Sequence, residues 1–228
     1  MNSTPVLADQ QRVLAIETST VACSVAIQIN GKIDLIKQEI PRTHNMVLLG
    51  MVHDLLRRNE ISLSGLSAIC FGRGPGSFTG TRIAAAVTQG LALPFNTRVL
   101  AISSLQALAV GANAAGSNCR GILTFIRSRK GEYYRGAYLI KNGLPIGLGN
   151  EDICQVDDLY PVLNEDCLVV FDELPDAYKK RRGDSLLVKR PDAAGLLGCL
   201  SLDSQDVDIC SAVPVYLQGS SPWKKQNV

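Results

Sequence analysis

The chain has 228 residues and a formal net charge of +2, and 46% of its residues are hydrophobic while 19% are charged. This composition excludes a disordered or fibrous chain, and so small a net charge gives no support for a surface that coats nucleic acid. The length is sufficient for two small lobes, each built around an aliphatic core.

The N-terminal twelve residues have neither a basic region nor a continuous apolar stretch, and no apolar run reaches the length of a membrane-spanning helix. We therefore expect a cytoplasmic protein without membrane contact. The seven cysteines include no Cys-x-x-Cys pair, which indicates neither zinc nor dithiol chemistry. Small buried side chains in a reducing compartment are expected instead.

The first half of the chain predicts a three-stranded meander followed by alternating helices and strands. Asn30-Gly31 is a hairpin turn, Pro41 ends the third strand, and Thr43 is expected to cap the first helix. The predicted elements are strands at Arg12–Glu17, Ala22–Ile29 and Ile33–Glu39, a helix from His44 to Arg57, a strand at Leu66–Phe71, a helix at Thr81–Leu93, a strand at Arg98–Ile102 and a helix from the Ser103-Ser104 cap. The order βββαβαβα is the layout of an RNase H-like lobe.

The second half begins in the same way, with an Asn142-Gly143 turn inside a second meander. Only shorter elements follow, so the second lobe is predicted to be truncated, with lobes at 10–110 and 111–228. The predicted elements are strands at Gly121–Ile126, Glu132–Ile140, Leu144–Leu148 and Cys167–Phe171, and helices at Val156–Leu163, Pro175–Arg181 and Asp192–Leu202.

A glycine-rich loop, Gly72 to Gly80, lies between a predicted strand and a predicted helix. Its backbone N–H groups offer a site for an anion. No Gly-Lys-Ser/Thr follows, so the loop is not a P-loop. The alternative, which we favour, is a tight turn capped by Ser77 or Thr79, with glycines that let another backbone approach closely. The residues of the candidate anion site are Gly74, Gly76, Ser77 and Gly80.

The helices on either side of this loop are unusual in composition. The first is apolar around more than one stripe, from Met46 to Leu56, and the second is rich in small residues, from Ala84 to Ala92. Such helices require burial on two sides and permit close helix approach. An interface with another subunit and a well-buried pair inside one domain both fit this pattern.

A catalytic site looks incomplete. Glu17, Thr18 and Ser19 end the first strand at a turn that would face phosphate, but the matching strand end of the second meander, Ile126–Arg129, supplies cations and no carboxylate for Mg²⁺. His44 is nine residues from the other histidine, His53, and the two lie on opposite helix faces, so they cannot share a metal ion. We therefore predict no catalytic residues, no metal and no cofactor.

Two basic segments could contact RNA phosphates or bases, although a solvated charged face is the commoner explanation. They are Lys179–Arg182 and the tail Trp223–Lys225.

The chain resembles the TsaB family, also called YeaZ, over nearly its whole length. The residues that carry this resemblance are Leu14–Ser19, His44-Asn45, the highly specific run Gly72–Arg82, and the Pro214–Leu217 segment. The resemblance implies a two-lobed α/β fold of the actin/Hsp70/sugar-kinase class, with a degenerate second lobe. One departure is that relatives commonly have Asp-Ala-Arg where this chain has Arg127–Arg129, which makes nucleotide handling by this lobe still less expected.

The resemblance further implies a non-catalytic activating subunit that pairs with TsaD and works with TsaE. In the family, the pair transfers a threonylcarbamoyl group to the adenosine 3′ of the anticodon. The resemblance therefore implies that this chain contacts tRNA only indirectly, through the complex. The partner-binding residues carried over from the family are His44, Leu48, Leu49, Val52, Ser77, Phe78, Thr79, Arg82, Ile83 and Ala86.

Two alternatives stay open. The chain could act alone as a glycoprotease-like peptidase or an ATPase, although the groups that either chemistry needs are not evident. It could also form a homodimer through the same helix pair, and that homodimer would compete with TsaD for one surface.

Overall fold

The computed structural model describes residues 11–41, 43–116, 119–129, 131–155, 167–178, 186–202 and 204–217. The strands in these ranges are β1 (Arg12–Glu17), β2 (Ala22–Ile29), β3 (Lys32–Glu39), β4 (Ala68–Gly72), β5 (Arg98–Ile102), β6 (Gly121–Arg129), β7 (Glu132–Lys141), β8 (Leu144–Gly147), β9 (Asp152–Gln155), β10 (Cys167–Phe171), β11 (Leu186–Val188) and β12 (Gln205–Val207). The α-helices are α1 (His44–Arg58), α2 (Phe78–Ala92), α3 (Ser104–Asn113) and α4 (Ala193–Gly198).

The strands form two sheets that repeat one topology. The first sheet has the order β12-β5-β4-β1-β2-β3, and the second has β11-β10-β6-β7-β8. In each, an antiparallel meander is followed by two parallel strands on its other side. The duplication predicted from the two meanders is therefore confirmed, and so is the two-lobed actin/Hsp70/sugar-kinase-like fold class.

Helices cover both faces of the first sheet. On one face, α1 and α2 bury an aliphatic cluster that includes Leu48, Leu55 and Ala84. On the other, α4 and one side of α3 cover a second cluster around Leu100 and Leu196. Both faces of the first sheet are thus withdrawn from water, which explains why β1 and β4 are almost continuously apolar.

The helix α3 is shared by the two lobes. Ala107 packs towards the first sheet, whereas Leu105, Leu108 and Ala112 pack against Ile122 and its neighbours in the second. The Ser103 hydroxyl caps the helix by accepting hydrogen bonds from the N–H groups of residues 105 and 106, as expected from the sequence. Because it is buried on two sides, α3 connects the two cores.

The C-terminal elements return to the first lobe. Strand β12 pairs antiparallel with β5, and α4 packs on β1 and β2. The predicted division into 10–110 and 111–228 therefore needs correction, because the described elements from 193 onward lie on the first sheet. The core of the second lobe is correspondingly small, and its strands lie between residues 121 and 188.

Short elements differ most from expectation. The predicted helix at 192–202 is α4, which ends at Gly198, and the predicted helix at 175–181 is described only as a 3-10 turn at Asp176–Tyr178. The predicted helix at 156–163 lies outside the described residues. Strands β9, β11 and β12 were not predicted, since three or four residues at a sheet edge carry no clear alternation of polarity.

Burial of the cysteines follows expectation for four of the seven, because Cys23, Cys70, Cys154 and Cys199 are buried while Cys210 is exposed. Burial raises the pKa of the Cys23 thiol to about 11. Among the described helices, none is long and apolar enough to cross a membrane.

Candidate functional site

The glycine-rich loop packs directly on the turn between β1 and β2. The N–H of Ser77 donates to the Ser19 carbonyl at 2.7 Å. A Cβ at Gly76 would lie 2.4 Å from that carbonyl oxygen, and one at Gly80 only 2.0 Å from the Thr18 carbonyl oxygen. Any larger residue would collide with backbone, so the predicted role of these glycines in close backbone approach is confirmed.

The same loop begins α2 earlier than predicted. The helix begins at Phe78 instead of Thr81, and the Ser77 hydroxyl caps it by accepting from the Gly80 N–H at 3.2 Å. The Thr18 hydroxyl donates to the Gly80 carbonyl at 2.8 Å. These bonds attach the N-terminus of α2 to the first sheet.

Anion binding by the loop stays a prediction. The Gly74 carbonyl accepts from the Ser104 N–H, and the Ser77 N–H is already used by Ser19. Gly74 itself has a φ of +87°, a conformation that favours glycine.

The carboxylate of Glu17 is fully buried at the end of β1. It accepts from the Ser19 N–H at 2.6 Å and from the Ser104 hydroxyl at 2.8 Å. Burial raises the pKa of Glu17 above its ordinary value of 4.5, and these hydrogen bonds oppose that rise. A Cβ at Gly72 would touch the carboxylate. The predicted phosphate-facing turn is therefore closed over by its own lobe.

The second lobe does place a carboxylate at the end of a strand, which the sequence reasoning missed. Asp172 follows β10, is buried, and accepts from the Arg127 N–H at 2.8 Å. Burial raises the pKa of Asp172 to about 6. The strand β6, which reaches Arg129 instead of ending at Ile126, indeed supplies cations. Asp172 could have been found by matching Phe171-Asp172 to Phe71-Gly72, because the two pairs end corresponding strands.

The predicted partner-binding residues divide into two groups. Leu48 and Val52 belong to the aliphatic core, with 0% and 2% of their surface exposed, so their predicted contact with a partner needs correction. His44 is also buried, and its Nε2 has no hydrogen-bond partner among the described residues. Thr43 immediately precedes α1, but its side chain accepts no hydrogen bond from the helix, so the predicted cap is wrong. The remaining residues are exposed or half-buried: Leu49, Ser77, Phe78, Thr79, Arg82, Ile83 and Ala86.

The two helices present an outward apolar face, which we call the α1–α2 face. On α1 it consists of Met46, Leu49, Gly50 and His53, and on α2 of Phe78, Arg82, Ala86, Gly90 and the following Leu93. These positions recur every three or four residues, so each set forms one stripe along its helix. Met46, Leu49 and Leu93 are 78%, 56% and 64% exposed.

A cluster of Phe78, Arg82 and Tyr216 lies at the N-terminal end of the α2 stripe. The Arg82 guanidinium lies 3.7 Å from the ring centroid of Phe78, and its Nε donates to the Tyr216 hydroxyl at 2.8 Å. Tyr216 arrives from the C-terminal segment, which is held by a hydrogen bond from the Val215 N–H to the Arg73 carbonyl at 2.8 Å. The contact of the Pro214–Leu217 segment with the glycine-rich loop was not foreseen from the sequence.

The described part of the chain contains no candidate metal site, because no group of three His, Cys, Asp or Glu side chains converges there. The basic segments Lys179–Arg182 and Trp223–Lys225, predicted as RNA contacts or a solvated face, lie outside the described residues.

Comparison with known proteins identifies the family. The chain is 34% identical over 226 residues to the Escherichia coli (strain K12) "tRNA threonylcarbamoyladenosine biosynthesis protein TsaB", covering 94% of this chain and 97% of that protein. The Haemophilus influenzae protein of the same name is 29% identical, covering 93% and 95%. The chain belongs to the TsaB family.

Comparisons with solved structures agree with membership of the TsaB family, and a family model matches as well. A Pseudomonas aeruginosa crystal structure, described as an uncharacterized protein with similarity to peptidase YEAZ, matches with a TM-score of 0.81 and 33% identity, covering 92% of this chain and all of that one. The structure described as YeaZ from the same organism gives 0.76, with 33% identity and coverages of 91% and 100%. A family model described as "TsaD: tRNA N6-adenosine threonylcarbamoyltransferase" matches residues 36–166.

The loop packing predicts opposite effects for two alanine substitutions in α2 of this TsaB family member. Gly80→Ala should lower the free energy of unfolding by about 1–3 kcal/mol, because its Cβ would overlap the Thr18 carbonyl. Gly90→Ala meets open space and should raise it by up to about 1 kcal/mol, since alanine favours helix. Urea unfolding followed by circular dichroism measures both, and equal effects would contradict the packing.

Asp172 predicts a pH dependence of stability. Its folded pKa of about 6 exceeds the ordinary 3.8, so the folded state holds a proton that the unfolded chain releases between these values. This contribution to stability is fully present below about pH 4 and is lost as the pH rises through 6. The free energy of unfolding of the natural chain, relative to Asp172→Asn, should fall by up to about 3 kcal/mol from pH 4 to 7, at 1.36 kcal/mol per pKa unit. If urea titrations show the same change of unfolding free energy with pH for both proteins, the predicted role of Asp172 is contradicted.

Proposed function

We propose that this chain is a non-catalytic activating subunit of the complex that forms threonylcarbamoyladenosine in tRNA. It binds TsaD through the α1–α2 face, works with TsaE, and meets tRNA in the cytoplasm only through that complex. Membership of the TsaB family supports the pathway, since the curated relatives are named for tRNA threonylcarbamoyladenosine biosynthesis.

The single observation that carries the partner role is the exposure of the α1–α2 face. Met46 and Leu49 on α1, and Leu93 directly after α2, are large apolar side chains that are exposed to solvent. Full burial of one such side chain contributes about 1.5–3 kcal/mol, and large apolar side chains exposed in this way mark interaction sites when they cluster. The face is therefore better suited to a partner than to water.

The small residues in this face favour a helical partner. A Cβ added at Gly50 or at Gly90 would have no atom within 4 Å, so both glycines leave open space at the surface. Together with the exposed Ala86, they let another helix approach closely. The Phe78 and Arg82 cluster with Tyr216 borders the same stripe and offers stacking and hydrogen-bonding groups at its rim.

The choice of TsaD rests on relatedness. The TsaD family model matches residues 36–166, a range that contains both α1 and α2. A related partner has its own version of this helix pair, and two such pairs can pack around a pseudo-twofold axis as a four-helix bundle. Activation then follows if this chain binds the competent conformation of TsaD more tightly than the other.

The non-catalytic role is supported by the way the two strand-end carboxylates are used. Glu17 accepts hydrogen bonds from Ser19 and Ser104, and Asp172 accepts one from the Arg127 backbone, so each is bound within its own lobe. Both carboxyl groups also have raised pKa values because of burial, which disfavours the charged form that Mg²⁺ requires. Neither feature supports an ATPase or a peptidase acting alone.

A homodimer through the α1–α2 face is the competing use of the same surface. Because one face cannot hold two partners at once, TsaD added in excess should dissolve such a homodimer.

A charge placed on the face tests the proposal. Leu49→Glu and Ala86→Glu alter exposed positions, so the chain should stay folded while its affinity for TsaD falls at least about 100-fold, since a charge would be buried without a partner. Size-exclusion chromatography with light scattering on mixtures with TsaD gives the readout. Leu48 is unsuitable for this test, because it is a core residue.

Lys141→Glu, at an exposed position on the second sheet, is the matched control and should bind TsaD as the natural chain does. Circular dichroism establishes that each variant is folded. Binding of TsaD that persists in folded Leu49→Glu and Ala86→Glu proteins would show that the partner uses another surface.

A further inference from the structure

The C-terminal segment lies along α2 and reaches the α1–α2 face. The side-chain amide of Gln89 donates to the Ala212 carbonyl at 3.1 Å, and Arg82, two turns earlier in the helix, donates through its Nε to the Tyr216 hydroxyl at 2.8 Å. The segment therefore runs antiparallel to α2 and brings an aromatic side chain to the one arginine of that helix.

The guanidinium of Arg82 is held by three contacts. It lies over the Phe78 ring, 3.7 Å from the ring centroid, and 5.6 Å from the centroid of the Tyr216 ring. The third contact is the hydrogen bond to the Tyr216 hydroxyl. An unrestrained arginine loses much rotamer freedom when it binds a partner, so these contacts remove part of that cost in advance.

The terminal amino groups of Arg82 are available to a partner. The residue is exposed, and the structure shows no ion pair between it and any residue that it describes. Because the Phe78 ring covers one face of the guanidinium, the free N–H groups point outward along its edge. A carboxylate that approaches in this plane can accept two parallel hydrogen bonds, whereas a backbone carbonyl offers a single oxygen.

The charge of Arg82 also limits the kind of partner. Helix α2 contains no acidic residue, and the outward stripes of the α1–α2 face are mainly apolar. A partner that covers this face withdraws the guanidinium from water, which is costly unless the partner supplies an opposite charge. A partner surface with an acidic side chain at this point is therefore favoured over a purely apolar one.

We propose that Arg82 binds a carboxylate side chain of TsaD, and that Tyr216 is the positioning residue that holds the guanidinium for this contact. The inference rests on the proposed function, in which TsaD binds the α1–α2 face, and it names the contact that gives this face its specificity. Apolar side chains attract many surfaces, whereas an oriented charge pair rejects those that lack the matching carboxylate.

Isothermal titration calorimetry with TsaD tests the roles of the two side chains. Arg82→Gln should lower the affinity about tenfold, and Tyr216→Phe, which removes only the hydroxyl, about threefold. Because Tyr216 acts through Arg82, the double variant should bind no more weakly than Arg82→Gln alone. Losses that simply add would overturn the positioning role. Arg129→Gln alters an exposed arginine of the second sheet and is the matched control, which should bind as the natural chain does.

Substitutions in TsaD test the carboxylate. Each exposed Asp or Glu of TsaD is changed singly to Asn or Gln, and at least one change should weaken binding to the natural chain about tenfold while leaving binding to Arg82→Gln unaltered. The proposal is overturned if no TsaD variant behaves in this way.

Comparison with Leu49→Glu separates failure of this inference from failure of the proposed function. If folded Arg82→Gln binds TsaD like the natural chain while Leu49→Glu does not, TsaD uses the α1–α2 face without the Arg82 contact, and only this inference falls. If both variants bind like the natural chain, the face is not the TsaD site and both proposals fall. Circular dichroism establishes that each variant is folded.

Discussion

The structure depends on one contact, the close packing of the glycine-rich loop against the β1–β2 turn. Backbone meets backbone there, with Gly76 and Gly80 lying against the carbonyl groups of Ser19 and Thr18, and no side chain fits between them. Hydrogen bonds from Ser77 and from the Thr18 hydroxyl join the two segments. Because α2 begins within this contact, its position on the first sheet and the direction of its outer stripe are set at the same point.

The same contact links the α1–α2 face to the space between the two lobes. The loop begins with Arg73, whose backbone also holds the C-terminal segment through Val215. That segment carries Tyr216 to Arg82 at the N-terminal end of the α2 stripe, and Leu217 to the wall of a pocket between the two lobes. One loop thus positions both the outer stripe of α2 and part of the wall between the two lobes.

Much of this architecture could be predicted from the sequence, because its determinants are local. The Asn-Gly turns and the apolar strands indicated a duplicated meander, and the comparisons confirmed the family. The side of α1 that faces the core could not be predicted in the same way. Leu48 and Leu49 are adjacent and identical in type, yet 0% and 56% exposed, and only packing against the sheet distinguishes them.

Other features required contacts between distant parts of the chain. Asp172 is recognisable at a strand end only once β10 is known to pair with β6, and Tyr216 meets Arg82 across 134 positions of sequence. The return of β12 to the first sheet is of the same kind, since a short polar strand such as Gln205–Val207 carries no signal of its partner.

Methionine methyl NMR would test the central claim, that the α1–α2 face binds TsaD, most directly. Met46 lies on the face and is 78% exposed, whereas Met51, in the same helix, is 4% exposed and belongs to the core. With the chain labelled on its methionine methyl groups, addition of unlabelled TsaD should change the chemical shift of Met46 and leave that of Met51 nearly unchanged. A complex that forms while the Met46 methyl shift stays constant would show that TsaD binds elsewhere.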